Sequence, residues 1–188
     1  AGTGKTMIAL YAGLCQAVDD WHTVIPKQAQ YSRLIVTRPI QPMGKDIGYL
    51  PGTLEEKMSP WVAPINDNLQ FLLGNGRDSL KEYVAEGIIE IEALTYIRGR
   101  SINNAFIVVD EIQNMTAHEL KTVITRVGEN SKIVLMGDIE QIDNVYIDET
   151  TNGLTYAVEK FKEHDIAGHI TLTRGERSKV ATLAAKIL

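Results

Sequence analysis

Ala1-Gly2-Thr3-Gly4-Lys5-Thr6, followed by apolar residues at Met7, Leu10, Leu14 and Val18, is the stretch that decides the fold. The hexapeptide matches the end of the pattern G-x-x-x-x-G-K-[ST]. The first glycine of that pattern, and the strand that precedes it, are expected upstream of Ala1. A glycine-rich turn bares successive backbone N–H groups that form an anion-binding nest. The helix that follows, marked by the spacing of the apolar residues, points its positive dipole end at the same place. Gly2, Thr3, Gly4, Lys5 and Thr6 are therefore candidate phosphate-binding residues. Lys5 is expected to reach the β- and γ-phosphates of a nucleotide, and the Thr6 hydroxyl to help hold Mg²⁺. A glycine turn that merely starts a helix is the plainer reading, and the downstream motifs weigh against it.

Those motifs sit in an alternation of extended and helical segments. Strands are predicted at Leu34–Thr37, Ile89–Ala93, Phe106–Val109, Ile133–Met136 and Ile170–Leu172. Leu34-Ile35-Val36, Ile107-Val108-Val109 and Ile133-Val134-Leu135-Met136 are continuous apolar runs, as in parallel strands buried on both faces. Ile89-Glu90-Ile91-Glu92-Ala93 alternates, which predicts a sheet edge. Between them, Thr116-Ala117-His118-Glu119 reads as a capping box, opening a helix through Leu120, Val123, Ile124 and Val127 that Gly128 can close. Further helices are predicted from Ser59-Pro60, from Ser79 to Gly87, over Leu154–Phe161, and after Ser178. This pattern is α/β: a mostly parallel sheet with helices on both faces. Residues 38–58, with Pro39, Pro42, Gly44, Gly48, Pro51 and Gly52, break the alternation as an ordered loop. With the helical stretch that follows, an insertion of roughly 38–87 is expected within one domain spanning 1–188.

Phe106-Ile107-Val108-Val109-Asp110-Glu111 is an apolar strand ending in two acids. At the carboxyl end of such a strand the Asp takes Mg²⁺, directly or through water, and the adjacent Glu can orient and deprotonate an attacking water. Gln113 follows in a D-E-x-Q arrangement; its amide is expected at the γ-phosphate or the attacking water, or else simply in solvent. The next strand ends Gly137-Asp138-Ile139-Glu140-Gln141, and Gln141 is the candidate γ-phosphate sensor. An arginine is also expected at the developing phosphate charge, in cis or in trans. Arg177 is favoured, with Arg174, Arg126 and Arg38 as weaker candidates.

Composition sets bounds around this reading. The chain has 188 residues, a formal net charge of −5, and 44% hydrophobic and 23% charged residues, ordinary for a globular domain. No apolar run approaches the ~18 residues of a membrane span, and no membrane association is expected. Cys15 is the single cysteine, so no intrachain disulfide can form, in keeping with a reducing compartment. The four histidines lack metal-ligand spacing. No global basic footprint for nucleic acid is present. Local cations at Lys45, Lys57, Arg98 and Arg100 are candidates for a phosphate-backbone track, and Tyr49, Trp61 and Tyr96 for base stacking.

Taken together, Asp110-Glu111-Ile112-Gln113-Asn114, Thr125-Arg126, Gly137-Asp138 with Gln141-Ile142-Asp143, and Gly44-Lys45-Asp46-Ile47-Gly48-Tyr49-Leu50-Pro51-Gly52 resemble the PhoH-like P-loop ATPases. Leu172-Thr173-Arg174-Gly175-Glu176-Arg177-Ser178 resembles the branch in which an E-R-S element follows the last strand. The resemblance covers essentially the whole chain. It implies a RecA-like P-loop NTPase core related to superfamily 1 helicases, ATP hydrolysis with Mg²⁺, and a link to phosphate starvation. Some members are fused to a PIN nuclease domain and act on RNA. The resemblance also implies a bacterial cytoplasmic or bacteriophage setting. Single-stranded RNA or DNA is the expected partner, and a homo-oligomer, a ring included, would supply the second surface that a one-core motor needs. A nucleotide-dependent remodeller of protein partners is the alternative. A small-molecule kinase is a third reading, disfavoured because a water-activating Glu111 would be counterproductive there.

Overall fold

The computed structural model describes residues 2–19, 28–39, 54–74, 77–97, 99, 101–175, 180 and 183, with backbone alone for 54–60, 77–79 and 95–96. Four parallel strands form the sheet: β1 (Arg33–Arg38), β2 (Ile89–Ala93), β3 (Ala105–Val109) and β4 (Lys132–Leu135), in the order β2-β1-β3-β4. The register places Leu34 opposite both Ile89 and Phe106, and Phe106 opposite Lys132. Among the described residues the helices that precede, connect or follow them are α1 (Lys5–Ala17), α2 (Leu54–Leu73), α3 (Arg77–Ala85), α4 (Leu94–Ile97), α5 (Ala117–Ile124) and α6 (Gly153–Phe161).

Period-two alternation sends successive side chains of the central strands into two different cores. On one face Leu34, Val36, Phe106 and Val108 pack with Leu10 and Leu14 of α1, Ile65 and Leu69 of α2, and Leu80 of α3. On the other, Ile35, Ile107 and Val109 pack with Leu120 and Val123 of α5 and Ala157 of α6. Helices thus cover both faces, which is why the central strands read as unbroken apolar runs. The fold is the predicted α/β core, and β2 is the predicted edge strand.

Several local predictions need correction. Ile170–Leu172 is not a strand. Both of its terminal residues are exposed, and no strand borders the outer side of β4 among the described residues. Ile170-Thr171-Leu172 pairs with no strand among the described residues, and its backbone groups are left to solvent. Among the described residues β4 lies at the edge of the sheet, and Ile133, Val134 and Leu135 are half-buried rather than buried on both faces. Helix α2 starts at Leu54, ahead of the Ser59-Pro60 signal, and contains Pro60 and Pro64. Proline's fixed φ suits a helix even though each ring removes one hydrogen bond, and burial of Ile65 and Leu69 favours the continuous helix. Helix α5 ends at Ile124, short of Gly128. Val127 is drawn away to bridge Ile102, and the Gly128 N–H donates to the Ile102 carbonyl at 2.7 Å. A Cβ on Gly128 would fall 2.9 Å from that carbonyl oxygen, so close approach, not helix capping, selects glycine there.

The capping box that opens α5 is present in full. Thr116 Oγ1 accepts from the Glu119 N–H at 3.2 Å, and the Glu119 carboxylate accepts from the Thr116 N–H at 2.9 Å. Thr116→Ala removes half of this exchange. It is expected to lower stability by about 1 kcal/mol, measured as a lower urea midpoint with an unchanged slope. Residues 40–53, including the Gly44–Gly52 element, lie outside the described residues, as do Arg98, Arg100, Arg177 and the segment around Ser178.

Candidate functional site

The phosphate-binding loop leads straight into α1. Gly2 and Gly4 both adopt φ of 74°, a left-handed conformation that glycine takes without strain. Gly4 is the helix N-cap, and no side chain caps the first turn. The opening N–H groups of α1 are therefore left for an external acceptor. Thr3, Lys5 and Thr6 are half-buried, and Gly2 and Gly4 are exposed.

Strand β3 delivers the two acids to this loop. The Thr6 hydroxyl donates to Asp110 Oδ2 at 3.0 Å, across 104 residues of sequence. Lys5 Nζ lies 3.9 Å from Glu111 Oε1. Asp110 is buried, its backbone N–H donates to the Thr37 carbonyl at the tip of β1, and its Oδ1 accepts from the Glu111 N–H at 3.0 Å. Burial pushes the Asp110 carboxyl above its ordinary value, and the neighbouring Glu111 charge pushes the same way. The Thr6 hydrogen bond and the Lys5 charge oppose the shift without cancelling it. A buried carboxylate with a raised affinity for protons is a site short of positive charge.

Magnesium fits that deficit. With Mg–O bonds of about 2.0–2.1 Å, adjacent oxygens of an octahedral shell lie about 2.9 Å apart, close to the Thr6–Asp110 separation of 3.0 Å. Among the described residues no three His, Cys, Asp or Glu side chains cluster as a cage. One carboxylate and one hydroxyl suit a cation that draws its remaining ligands from water and phosphate.

The turn after β3 is built around two buried amides. Glu111 sits at φ 57°, a left-handed conformation that a non-glycine residue holds only when its surroundings impose it. A 3-10 turn, Ile112–Asn114, follows. Gln113 is fully buried; its Nε2 donates to Glu111 Oε2 at 2.6 Å and to the Gln141 carbonyl at 2.9 Å, and its Oε1 accepts from the Asp138 N–H at 3.2 Å. The side chain of Gln141 turns to Asp138, donating to Oδ2 at 2.7 Å. Gly137 makes room for this arrangement, because a Cβ there would fall 2.6 Å from Gln113 Oε1. Sequence reading passed over Asp138, Asn114 and Thr37 as site-forming residues. Thr37 is fully buried at the strand tip beside Asp110, and its hydroxyl has no hydrogen-bond partner among the described residues. The only sequence signal for it was a polar residue closing an apolar run.

The arginine candidates are dispersed. Arg126 follows α5 and its carbonyl accepts from the Ile102 N–H, at the amino end of β3 and opposite Asp110. Arg38 ends β1 on the Asp110 side, with its Nε buried and without a partner among the described residues. Arg174 is exposed beyond α6. Of the stacking candidates, Trp61 is half-buried on α2, while Tyr49 and the Tyr96 side chain lie outside the described residues.

An α/β sheet whose strand tips bring a glycine-rich loop, a lysine, a hydroxyl and two acids together defines the P-loop NTPase class, a nucleotide-binding fold. The match to the family model described as PhoH-like protein spans residues 1–187, and the chain belongs to that family. It is 55% identical over its whole length to Protein PhoH2 of Bacillus subtilis (strain 168), covering 41% of that protein. It is 39% identical to Protein PhoH2 of Mycolicibacterium smegmatis, again covering 41%, and 36% identical to the PhoH-like protein of B. subtilis, covering 54%. The chain thus spans roughly two-fifths to half the length of these relatives. No helix among the described residues is long and apolar enough to cross a membrane.

Proposed function

We propose that this domain binds ATP with Mg²⁺ and hydrolyses it, and that hydrolysis is coupled to single-stranded RNA or DNA in a homo-oligomer. The observation that carries the hydrolytic reading is the meeting of Thr6 with Asp110 and of Lys5 with Glu111. Thr6 and Asp110 are the residues that would hold Mg²⁺, whose charge offsets that of the phosphate oxygens. Gly2, Thr3 and Gly4 present backbone N–H groups to the phosphates, and Lys5 adds a cation. Glu111 takes the proton of the attacking water as its oxygen bonds to the γ-phosphorus. The bond from that phosphorus to the β–γ bridging oxygen breaks, and ADP leaves with the electron pair.

Nucleic-acid coupling rests on the resemblance to helicase-related members of the family. Self-association rests on the arginine requirement. With the Arg126 backbone held at the amino end of β3, Arg177, Arg174, Arg38 or a neighbouring copy is left to meet the phosphate charge. Bacterial cytoplasm is the proposed setting, and phosphate starvation the proposed context.

The test is ATP turnover by the full-length protein with and without single-stranded RNA and DNA. Stimulation severalfold or more by one polymer supports the coupled motor and identifies its track. Turnover indifferent to both polymers favours the protein-remodelling alternative, with which the net charge of −5 agrees. Transfer of phosphate to an added acceptor, without release, would instead mark a kinase.

A further inference from the structure

Residues 138–152, between β4 and α6, form a loop fixed to the catalytic turn at three places. At its start, the Ile112 N–H donates to the Met136 carbonyl at 2.9 Å, and Gln113 holds both the Asp138 N–H and the Gln141 carbonyl. In its middle, Asn114 Oδ1 accepts from the Asp143 N–H at 2.8 Å, while Asn144 Nδ2 donates to the Asn114 carbonyl at 3.1 Å. At its end, the Gly153 N–H donates to the Met115 carbonyl at 2.7 Å, and the fully buried Asn152 caps α6. Internal turns stiffen the rest: Tyr146 N–H donates to Asn144 Oδ1, and Asp148 accepts from the backbone and hydroxyls of Thr150 and Thr151. Yet the tip of this well-bonded loop presents Val145 at 86% and Tyr146 at 89% exposure.

The Gln113 amide has no capacity left for a phosphate. Both of its N–H groups and its oxygen are committed, one N–H to Glu111 and the remaining groups to the loop. We propose that Gln113 is a positioning residue that ties the Glu111 carboxylate to the 138–152 loop, so that any movement of Glu111 at the phosphates displaces the loop and its Val145–Tyr146 tip. The Gln113 side chain is the strut: its Nε2 bridges Glu111 Oε2 and the Gln141 carbonyl, so Glu111 cannot shift without breaking that bridge or dragging the loop. Glu111, already in a left-handed conformation, is one end of the coupled pair. The exposed tip is the other. This inference rests on the nucleotide-binding reading above.

Hydrogen exchange separates the two. The full-length protein is compared with and without Mg²⁺ and a non-hydrolysable ATP analogue, as wild type and as Gln113→Met, which keeps the buried volume while removing the hydrogen bonds. The expected wild-type result is protection at residues 2–8 together with a change at 143–152, where the Asp143 N–H is hydrogen-bonded to the catalytic turn and those of Tyr146, Ile147, Asp148, Thr150, Thr151 and Asn152 within the loop. In Gln113→Met, protection at 2–8 should persist and the change at 143–152 should fall severalfold. Turnover should drop up to about a hundredfold with little change in KM, the result of misplacing a reacting group by about an ångström. Gly137→Ala, which pushes on Gln113 from the other side, should reproduce that pattern. A loop response of equal size in wild type and both variants would overturn the proposal, as would a wild-type loop that does not respond while residues 2–8 are protected. Absence of protection at 2–8 in wild type would instead sink the nucleotide-binding reading, and this inference with it.

Discussion

Glu111→Gln is expected to reduce ATP turnover by about 10²–10⁴-fold, the usual contribution of a positioned general base, while nucleotide binding survives. The substitution is nearly isosteric, so the left-handed turn and the packing around Ile112 should persist. It removes a negative charge 3.9 Å from Lys5, so affinity for ATP should hold or rise. Single-turnover hydrolysis and equilibrium binding of a fluorescent ATP analogue, measured side by side, check both halves. Loss of binding together with turnover would show that Glu111 holds the loop together instead of acting on water. Undiminished turnover would remove it from the chemistry altogether.

Asp110→Asn should abolish Mg²⁺-dependent turnover by a comparable factor and yet stabilise the protein in the absence of nucleotide. The sign follows from the raised carboxyl. Because folding raises its affinity for protons, Asp110 adds stability below the ordinary Asp range and loses that contribution as pH climbs through its folded-state value. At neutral pH the ionised group is therefore a net cost to the fold. An amide carries no charge to desolvate, and its oxygen can still accept the Glu111 N–H. Melting curves without nucleotide should place Asp110→Asn above wild type at pH 7, by about 2–4 °C for each kcal/mol recovered in a domain of this size. The gap should close as the pH falls toward 4. Mg²⁺ with nucleotide should raise the wild-type melting temperature and leave the variant nearly unmoved. A variant less stable than wild type at pH 7 would mean that the Thr6 hydrogen bond outweighs desolvation.

Much of this architecture was legible in the residues. The apolar runs of β1 and β3, the alternation of β2, the Thr116 capping box and the glycine–lysine–threonine turn each signal a local conformation that the fold retains. These signals are local because they depend on periodicity or on a turn's own chemistry. The misreadings share a different cause. Whether Ile133–Leu135 is buried on both faces, or Ile170–Leu172 is a strand at all, depends on which neighbour lies beside it, and no local pattern encodes a neighbour. The candidate site divides in the same way. The pairing of the loop with Asp110 and Glu111 follows from motif spacing, whereas the commitment of Gln113, the turning of Gln141 toward Asp138 and the remoteness of Arg126 depend on three-dimensional register. Arg126 is instructive: a single helix carries the chain from the carboxyl end of the sheet back to its amino end, so residues near a motif in sequence are delivered to the opposite pole.

Among the described residues no strand pairs with the outer side of Lys132–Leu135, and such a flank, with half-covered branched side chains on either side, does not discriminate between a strand of its own molecule and one from a stranger. Lys132, exposed at the first position, is the strand's sole charged residue and guards just one end. In any preparation where this flank stays uncovered, crowding of the molecules, more than heat, becomes the hazard to manage, because sheet growth from one molecule to the next is a matter of encounter.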